Sequence, residues 1–295
     1  QLLQARREMA LVRHRVARGR ERLDRRQIVR GTAAPLECGA IEGDRGAVQL
    51  DRLLLIALGR SDGVSRLELE EAGGGLAHKL RTLRVTEAHL ASAEGLELGM
   101  PPMVVVQALA MGAQLRAYRF QKYHAVDGDD ENAAPERLWV GLAAGDGALV
   151  EQRAIAAAVH RARDLVSEPG NILTPRAFAD ACGALAEFGL DVEILDQAAL
   201  TALGMNALLG VAQGSAQPPY VVVMRWQGGG TEPPLALVGK GVCFDSGGIS
   251  IKPAQGMEDM KWDMGGAGAV AGAMLALALR KAEADVIGVV GLVEN

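Results

Sequence analysis

The stretch that decides the fold is residues 238–265, which read VGKGVCFDSGGISIKPAQGMEDMKWDMG. It places two lysines and two aspartates among glycines and apolar residues: Lys240, Asp245, Lys252 and Asp263. Charged groups in apolar surroundings need partners, because burial of an unpaired charge costs several kcal/mol. Metal ions are the partners that best suit this set.

The elements around this stretch predict one βαβ unit. A strand over 235–244, a helix over 258–282 and a strand over 286–293 have the lengths of a strand, a crossover helix and a parallel strand. Lys240 lies within LALVGKGVCF, which we expect to be a central strand buried on both faces. Asp245 follows that strand at the edge where open α/β sheets bind ligands.

The rest of the chain predicts an α/β protein of two domains. Residues 49–59 have the pattern of a buried parallel strand, residues 65–83 that of a helix interrupted by three glycines, and residues 101–118 that of a long helix. We place the domain join along a helix over 148–165. The expected organisation is a smaller N-terminal α/β domain at 31–146 and a catalytic domain at 147–295.

The first thirty residues form a separate basic segment of unknown role. They hold ten arginines against three acids, a local charge of +7, which leaves −12 for the rest of a chain whose net charge is −5. The spacing of apolar residues from Leu2 to Leu23 predicts an amphipathic helix. An acidic body argues against nucleic acid as the main partner.

Cysteine usage and hydropathy favour a cytoplasmic protein. The three cysteines, Cys38, Cys182 and Cys243, include no CxxC pair and fit reduced thiols. The longest apolar run, over 264–279, is shorter than a membrane span of about 20 residues. We expect no membrane partner. The chain begins with Gln, which we interpret as the start of a fragment or of a processed chain.

The residue types of the central stretch fit metal chemistry. Two carboxylates and one nitrogen donor, from Asp245, Asp263 and Lys240, suit Zn²⁺, Mn²⁺ or Mg²⁺. Lys252 could polarise a carbonyl or stabilise an oxyanion.

Each residue also has a plainer interpretation. Lys240 could belong to an edge strand, Asp245 could cap a turn, Asp263 could be an acid at a helix N-terminus, and Lys252 could be a solvated loop residue. Glu294, which also follows a strand, is a weaker candidate ligand. A nucleotide-binding protein is disfavoured, because GxxxxGK[ST] is absent.

Taken together, VGKGVCFDSGGISIKP and MKWDMGGAGAV resemble the leucyl aminopeptidase, or cytosol aminopeptidase, family. Weaker support comes from YRFQKYH at 118–124, ARDLVSEPGNILTP at 162–175 and MNALLGVAQGS at 205–215. The resemblance is firm over about residues 110–295 and plausible from about residue 50.

The resemblance implies a metallo-exopeptidase that removes N-terminal, leucine-like amino acids from peptides and assembles as a homohexamer. It implies that Lys240, Asp245 and Asp263 hold two divalent ions, Zn²⁺ or Mn²⁺, with Asp245 bridging. Lys252 resembles the catalytic lysine, which would stabilise a gem-diolate after attack by an activated water. Met260 resembles part of the pocket for the first side chain. Lys252, Asp245 and Asp263 would also contact the substrate.

The chain departs from the family pattern in two ways. Gly268, Ser167 and Gly170 replace the residues usual at their positions, which we interpret as mild changes. The family's NTDAEGR motif, which supplies two further ligands and the catalytic arginine, is absent from the 295 residues. This chain alone offers three of five expected ligands, so we expect it alone to be inactive and prone to aggregation. The alternative function is a non-catalytic, aminopeptidase-like scaffold or binding protein.

Overall fold

A computed structural model describes residues 9–15, 37–40, 52–58, 63–85, 87–92, 99–123, 137–141, 149–229 and 231–295. The chain divides into two compact units, Gln1–Ala156 and Ala157–Asn295. Each unit combines helices with one sheet, which confirms the predicted α/β class. His124 of the YRFQKYH segment and most of residues 1–30 lie outside the described residues.

The first unit contains a five-stranded sheet with the order β2-β5-β4-β1-β3. Its strands are β1 (Met9–Arg15), β2 (Glu37–Ala40), β3 (Arg52–Ala57), β4 (Glu87–Ser92) and β5 (Arg137–Gly141). Its helices are α1 (Arg66–Thr82) and α2 (Pro102–Ala117). Leu69, Leu76 and Leu80 of α1 are fully buried and belong to one aliphatic core with Leu109 and Leu138.

Two predictions in this unit are wrong. Met9–Arg15 of the basic segment is a strand rather than part of a helix, because β1 pairs antiparallel with both β3 and β4. The strand predicted over 49–59 exists as β3, but it is antiparallel to β1 and lies at the edge of the sheet. Pairing with neighbouring strands overrides local periodicity in both cases.

The helix α1 continues through its glycines instead of being interrupted by them. A Cβ on Gly73 would lie 2.0 Å from the carbonyl oxygen of Leu109, and one on Gly112 would lie 1.7 Å from that of Glu70. These two glycines therefore allow the backbones of α1 and α2 to touch. A capping box between Ser65 and Glu68 fixes the start of α1.

The second unit contains a four-stranded sheet with the order β6-β7-β9-β8. Its strands are β6 (Asp191–Leu195), β7 (Tyr220–Gln227), β8 (Leu235–Phe244) and β9 (Asp285–Glu294). The strands β6, β7 and β9 pair antiparallel, and β8 pairs parallel with β9. The helices are α4 (Pro175–Gly183), α5 (Gln197–Ala202), α6 (Asn206–Ala212) and α7 (Gly265–Arg280), while the boundary between the units falls within α3 (Val150–Ser167).

The predicted βαβ unit is confirmed as β8, α7 and β9. A 3-10 turn at Met257–Trp262 precedes α7, so the helix begins later than predicted. Glycine brings α7 close to the sheet, since a Cβ on Gly239 would lie 2.7 Å from the Cα of Ala267.

The only described segment long and apolar enough to cross a membrane is Met257–Arg280, and about half of it is buried within the protein. Met264, Val270 and Met274 belong to the core that α7 shares with the sheet.

Candidate metal centre

The strands β8 and β9 end side by side, and an irregularity decides which way their last side chains point. Lys240 pairs with Gly291, and the register shifts between Val242 and Phe244, so that two residues of β8 stand opposite one of β9. The backbone hydrogen bonds between the two strands then continue. The N–H of Asn295 donates to the carbonyl of Phe244 (3.0 Å), and the carbonyl of Asn295 accepts a hydrogen bond from the N–H of Ser246 (2.8 Å). Asn295 therefore stands opposite Asp245.

This bulge places Lys240 and Asp245 on the same face of the sheet. They are five positions apart in the chain, an odd difference that would put them on opposite faces of a regular strand. Their partners on β9, Gly291 and Asn295, are four residues apart, an even number. The extra residue on β8 restores the alternation, as bulges near functional sites do.

Lys240 contacts Asp263, the second predicted carboxylate. Its Nζ lies 2.6 Å from Asp263 Oδ1. The side chain of Lys240 is 61% exposed, so the prediction that it is buried on both faces of the sheet is wrong. The physical reason is that β8 has only β9 as a neighbour among the described strands.

Asp263 itself is held by the turn before α7. Its backbone N–H donates to the carbonyl of Met260 at 3.2 Å. Its Oδ2 atom is buried and has no hydrogen-bond partner among the described residues. A buried carboxylate oxygen without a donor is costly, and a cation or an ordered water would satisfy it.

Lys252 pairs with Asp245. Its ammonium donates to Asp245 Oδ2 and, at 3.3 Å, to the main-chain carbonyl of the same residue. The hydrogen bond from Lys252 is the largest cause that lowers the pKa of Asp245 to about 2. Hydrogen bonds from the Gly247 N–H and the Asn295 side chain also lower this pKa, while burial opposes them. Asp245 is therefore an anion at neutral pH.

The glycines after Asp245 shape the loop that carries Lys252. Gly247 and Gly248 have φ values of +90° and +62°, which other residues rarely adopt. The loop returns so that the N–H of Lys252 donates to the carbonyl of Ser246 at 2.9 Å. This return places the Lys252 side chain beside Asp245.

The two remaining candidates, Met260 and Glu294, lie in different surroundings. Met260 is half-buried in the 3-10 turn, and its carbonyl is tied to Asp263. Glu294, weighed as a weaker ligand, accepts a hydrogen bond from Ser215 Oγ at 2.6 Å.

The donors of the two lysine–carboxylate pairs are of the types that bind divalent cations. The described residues contain no cluster of three or more His, Cys, Asp and Glu side chains. They do supply two carboxylates, one with an orphaned buried oxygen, and two lysine amines already in contact with those carboxylates. Hard oxygen donors with one amine fit a divalent ion.

Sequence reasoning missed Asn295. Its side-chain amide donates a hydrogen bond from Nδ2 to Asp245 Oδ1 at 2.8 Å. A positional signal was available, because Asn295 follows β9 as Asp245 follows β8. The pairing of the two residues became visible only once the bulge was known.

An α/β unit whose parallel strands end beside charged side chains defines a candidate ligand-binding site of an open α/β sheet. Family comparison gives the finer class. The catalytic domain model of the cytosol aminopeptidase family matches residues 160–295, and the N-terminal domain model of that family matches residues 44–126. The chain belongs to the cytosol aminopeptidase family.

Curated relatives agree with this assignment. A probable cytosol aminopeptidase from Dinoroseobacter shibae is 47% identical over 83% of this chain and 47% of its own length. One from a Bradyrhizobium species is 48% identical over 84% of this chain and 50% of its own length. The chain thus spans about half the length of these relatives.

Solved structures share the fold. The bottromycin maturation enzyme BotP in complex with Mn aligns with a TM-score of 0.71 and 32% identity, over 89% of this chain and 60% of its own. A tomato leucine aminopeptidase mutant aligns with a TM-score of 0.68 and 28% identity, over 82% of this chain and 48% of its own.

Proposed function

We propose that the chain carries one part of the active site of a metal-dependent aminopeptidase, which releases N-terminal, leucine-like residues from peptides. The observation that carries the proposal is the presence of two lysine–carboxylate pairs, Lys240–Asp263 and Lys252–Asp245, in which Asp263 has a buried oxygen without a hydrogen-bond partner among the described residues. Membership of the cytosol aminopeptidase family and the Mn named with BotP support it.

Lys240, Asp245 and Asp263 would hold two divalent ions, Zn²⁺ or Mn²⁺. When bound, such ions polarise a carbonyl and make a water nucleophilic at neutral pH. An amine must be deprotonated to act as a ligand, so Lys240 would exchange its contact with Asp263 for the cation. Its exposure leaves room for this exchange.

Lys252 would act as the catalytic lysine. A cation at Asp245 Oδ2 would compete with the Lys252 ammonium for the same oxygen. Lys252 would then be free to donate to the carbonyl oxygen of the substrate, where negative charge develops. Asp245 and Asp263 would also lie against the substrate, and Met260 would line the pocket for its first side chain.

The wider properties of the enzyme belong to the same proposal. Peptides would be the substrates, the cytoplasm the location and a homohexamer the assembled form, while nucleic acid and membranes would not be partners. The names of the curated relatives support the cytoplasmic location.

The test uses two proteins: the 295-residue chain, and a chimera in which the remaining sequence of the Dinoroseobacter shibae relative follows Asn295. Calorimetry with Mn²⁺ and hydrolysis of a leucine chromogenic amide are measured on both. The expected result is Mn²⁺ binding by both and hydrolysis by the chimera alone. A chimera that binds Mn²⁺ without hydrolysis would favour the scaffold function, and strong turnover by the 295-residue chain would disprove the need for further ligands.

The matched variants decide whether the named residues are responsible. Asp263→Asn and Lys252→Met are introduced into the chimera. Asp263→Asn should weaken Mn²⁺ binding, whereas Lys252→Met should retain binding and lose turnover. Equal turnover in the wild-type chimera and the Lys252→Met chimera would remove Lys252 from the mechanism.

A further inference from the structure

One residue is tied to three consecutive residues around the proposed bridging ligand. The main chain of Asn295 bonds to Phe244 and Ser246, the neighbours of Asp245. Ser246 adds a bond from its hydroxyl to the Asn295 carbonyl at 2.9 Å. The Asn295 side chain reaches Asp245 itself, with Nδ2 at 2.8 Å from Oδ1.

These contacts give the two carboxylate oxygens of Asp245 different hydrogen-bond partners. Oδ1 accepts from the Asn295 side chain and from the N–H of Gly247 at 2.9 Å. Oδ2 accepts from Lys252. Two donors on Oδ1 fix the plane of the carboxylate and leave Oδ2 as the oxygen that can exchange an ammonium for another cation.

The loop leaves space for this arrangement. A Cβ on Gly248 would lie 2.8 Å from the side-chain oxygen of Asn295. Any larger residue at 248 would therefore push against the amide that holds Asp245.

We propose that Asn295 is a positioning residue, which holds Asp245 Oδ1 so that Oδ2 is presented to a divalent cation. This inference rests on the proposed function, in which Asp245 is a metal ligand. Asn295 acts through Asp245 and does not itself bind the metal. Partners of this kind around a metal ligand change metal affinity by about 10- to 100-fold when removed.

The test compares four variants of the 295-residue chain by calorimetric titration with Mn²⁺. Asn295→Ala removes the amide, Asn295→Leu removes it at similar volume, Asp245→Asn removes the ligand charge, and Asn206→Ala is the matched control on an exposed residue of α6. Both Asn295 variants should lose about tenfold or more in affinity. Asn206→Ala should match the wild type.

A second measurement, made in the absence of metal, reports whether Asp245 keeps its position. Hydrogen exchange of the Gly247 amide should be faster in both Asn295 variants, because Asp245 loses the bond that holds its acceptor oxygen in place. Amides within α7 should exchange as in the wild type. A merely structural role for Asn295 would accelerate both sets together.

The outcomes separate the two proposals. If Asp245→Asn binds Mn²⁺ as tightly as the wild type, or the wild type binds none, the proposed function fails and the metal role of Asn295 fails with it. If Asp245→Asn weakens binding while both Asn295 variants bind like Asn206→Ala, only the positioning role is overturned.

Discussion

Lys240 and Asp263 share a 2.6 Å ion pair in which only one carboxylate oxygen is used. The other oxygen, Asp263 Oδ2, is buried and has no hydrogen-bond partner among the residues that the structure describes. This asymmetry distinguishes the pair from an ordinary surface ion pair and motivates the first prediction.

Lys240→Met should separate metal binding from stability. The lysine is mostly exposed, and exposed ion pairs contribute about 0–1 kcal/mol, so the free energy of unfolding should change little. Mn²⁺ affinity should fall by about tenfold or more, because a donor is lost. Urea unfolding and calorimetry measure the two effects, and Lys79→Met on α1 is the matched control. A large loss of stability without a change in affinity would make Lys240 a structural residue.

Gly73→Ala and Gly74→Ala should have opposite effects although the glycines are adjacent in α1. A Cβ on Gly73 would lie 2.0 Å from the Leu109 carbonyl, an overlap that costs about 1–3 kcal/mol or more. A Cβ on Gly74 would lie 3.5 Å from the Gly112 carbonyl, an ordinary contact, and Ala favours helix by about 1 kcal/mol over Gly. Urea unfolding of both variants checks the prediction. Equal effects would contradict the close approach of α1 and α2.

Cys182 and Cys243 should be inert in the folded protein. Burial is the largest cause that raises the pKa of each thiol to about 12. In a Cys38→Ser chain, a thiol reagent at pH 8 should label neither cysteine rapidly and both after denaturation. Rapid labelling of the native chain would show that the core around these thiols is open.

The same two thiols should make stability fall at alkaline pH. The unfolded thiol has a pKa of about 8.5, so between about pH 9 and pH 12 the folded state binds more protons than the unfolded state. The stabilisation from these protonated thiols should therefore be complete below about pH 8.5. The free energy of unfolding should then decline as the pH rises toward 12. Urea unfolding at pH 7.5 and 10.5 measures this loss, which should shrink in a Cys182→Ala, Cys243→Ala double variant.

Ser215→Ala should destabilise the second unit. Ser215 donates to Glu294 Oε1 at 2.6 Å and accepts from the N–H of Gln217 at 3.0 Å. Loss of both bonds at a part-buried site should cost about 1–3 kcal/mol by urea unfolding. Ser250→Ala, on an exposed loop residue, is the control. Equal stability of the two variants would mean that the bond to Glu294 contributes nothing.

The sequence was most informative where the local pattern and the contacts with neighbouring elements favour the same structure. The limits of β8 match the prediction, and β9 and α7 follow in the predicted order, because a βαβ unit is built from consecutive elements. The prediction failed at Met9–Arg15 and at β3, where distant strands determine the pairing. It also failed for the burial of Lys240, which depends on how many strands flank β8.

The sequence by itself determined the α/β class, the family motifs and the types of residue at the candidate centre. Residue types and short spacings are local properties, so they can be read without knowing the fold. Only the tertiary structure decided which carboxylate each lysine contacts, that a bulge turns Asp245 to the face of Lys240, and that Asn295 stands opposite Asp245. Strand register sets the last two, and register depends on contacts between residues about fifty positions apart in the chain. The lysine contacts depend on the return of the loop after Asp245 and on the turn before α7.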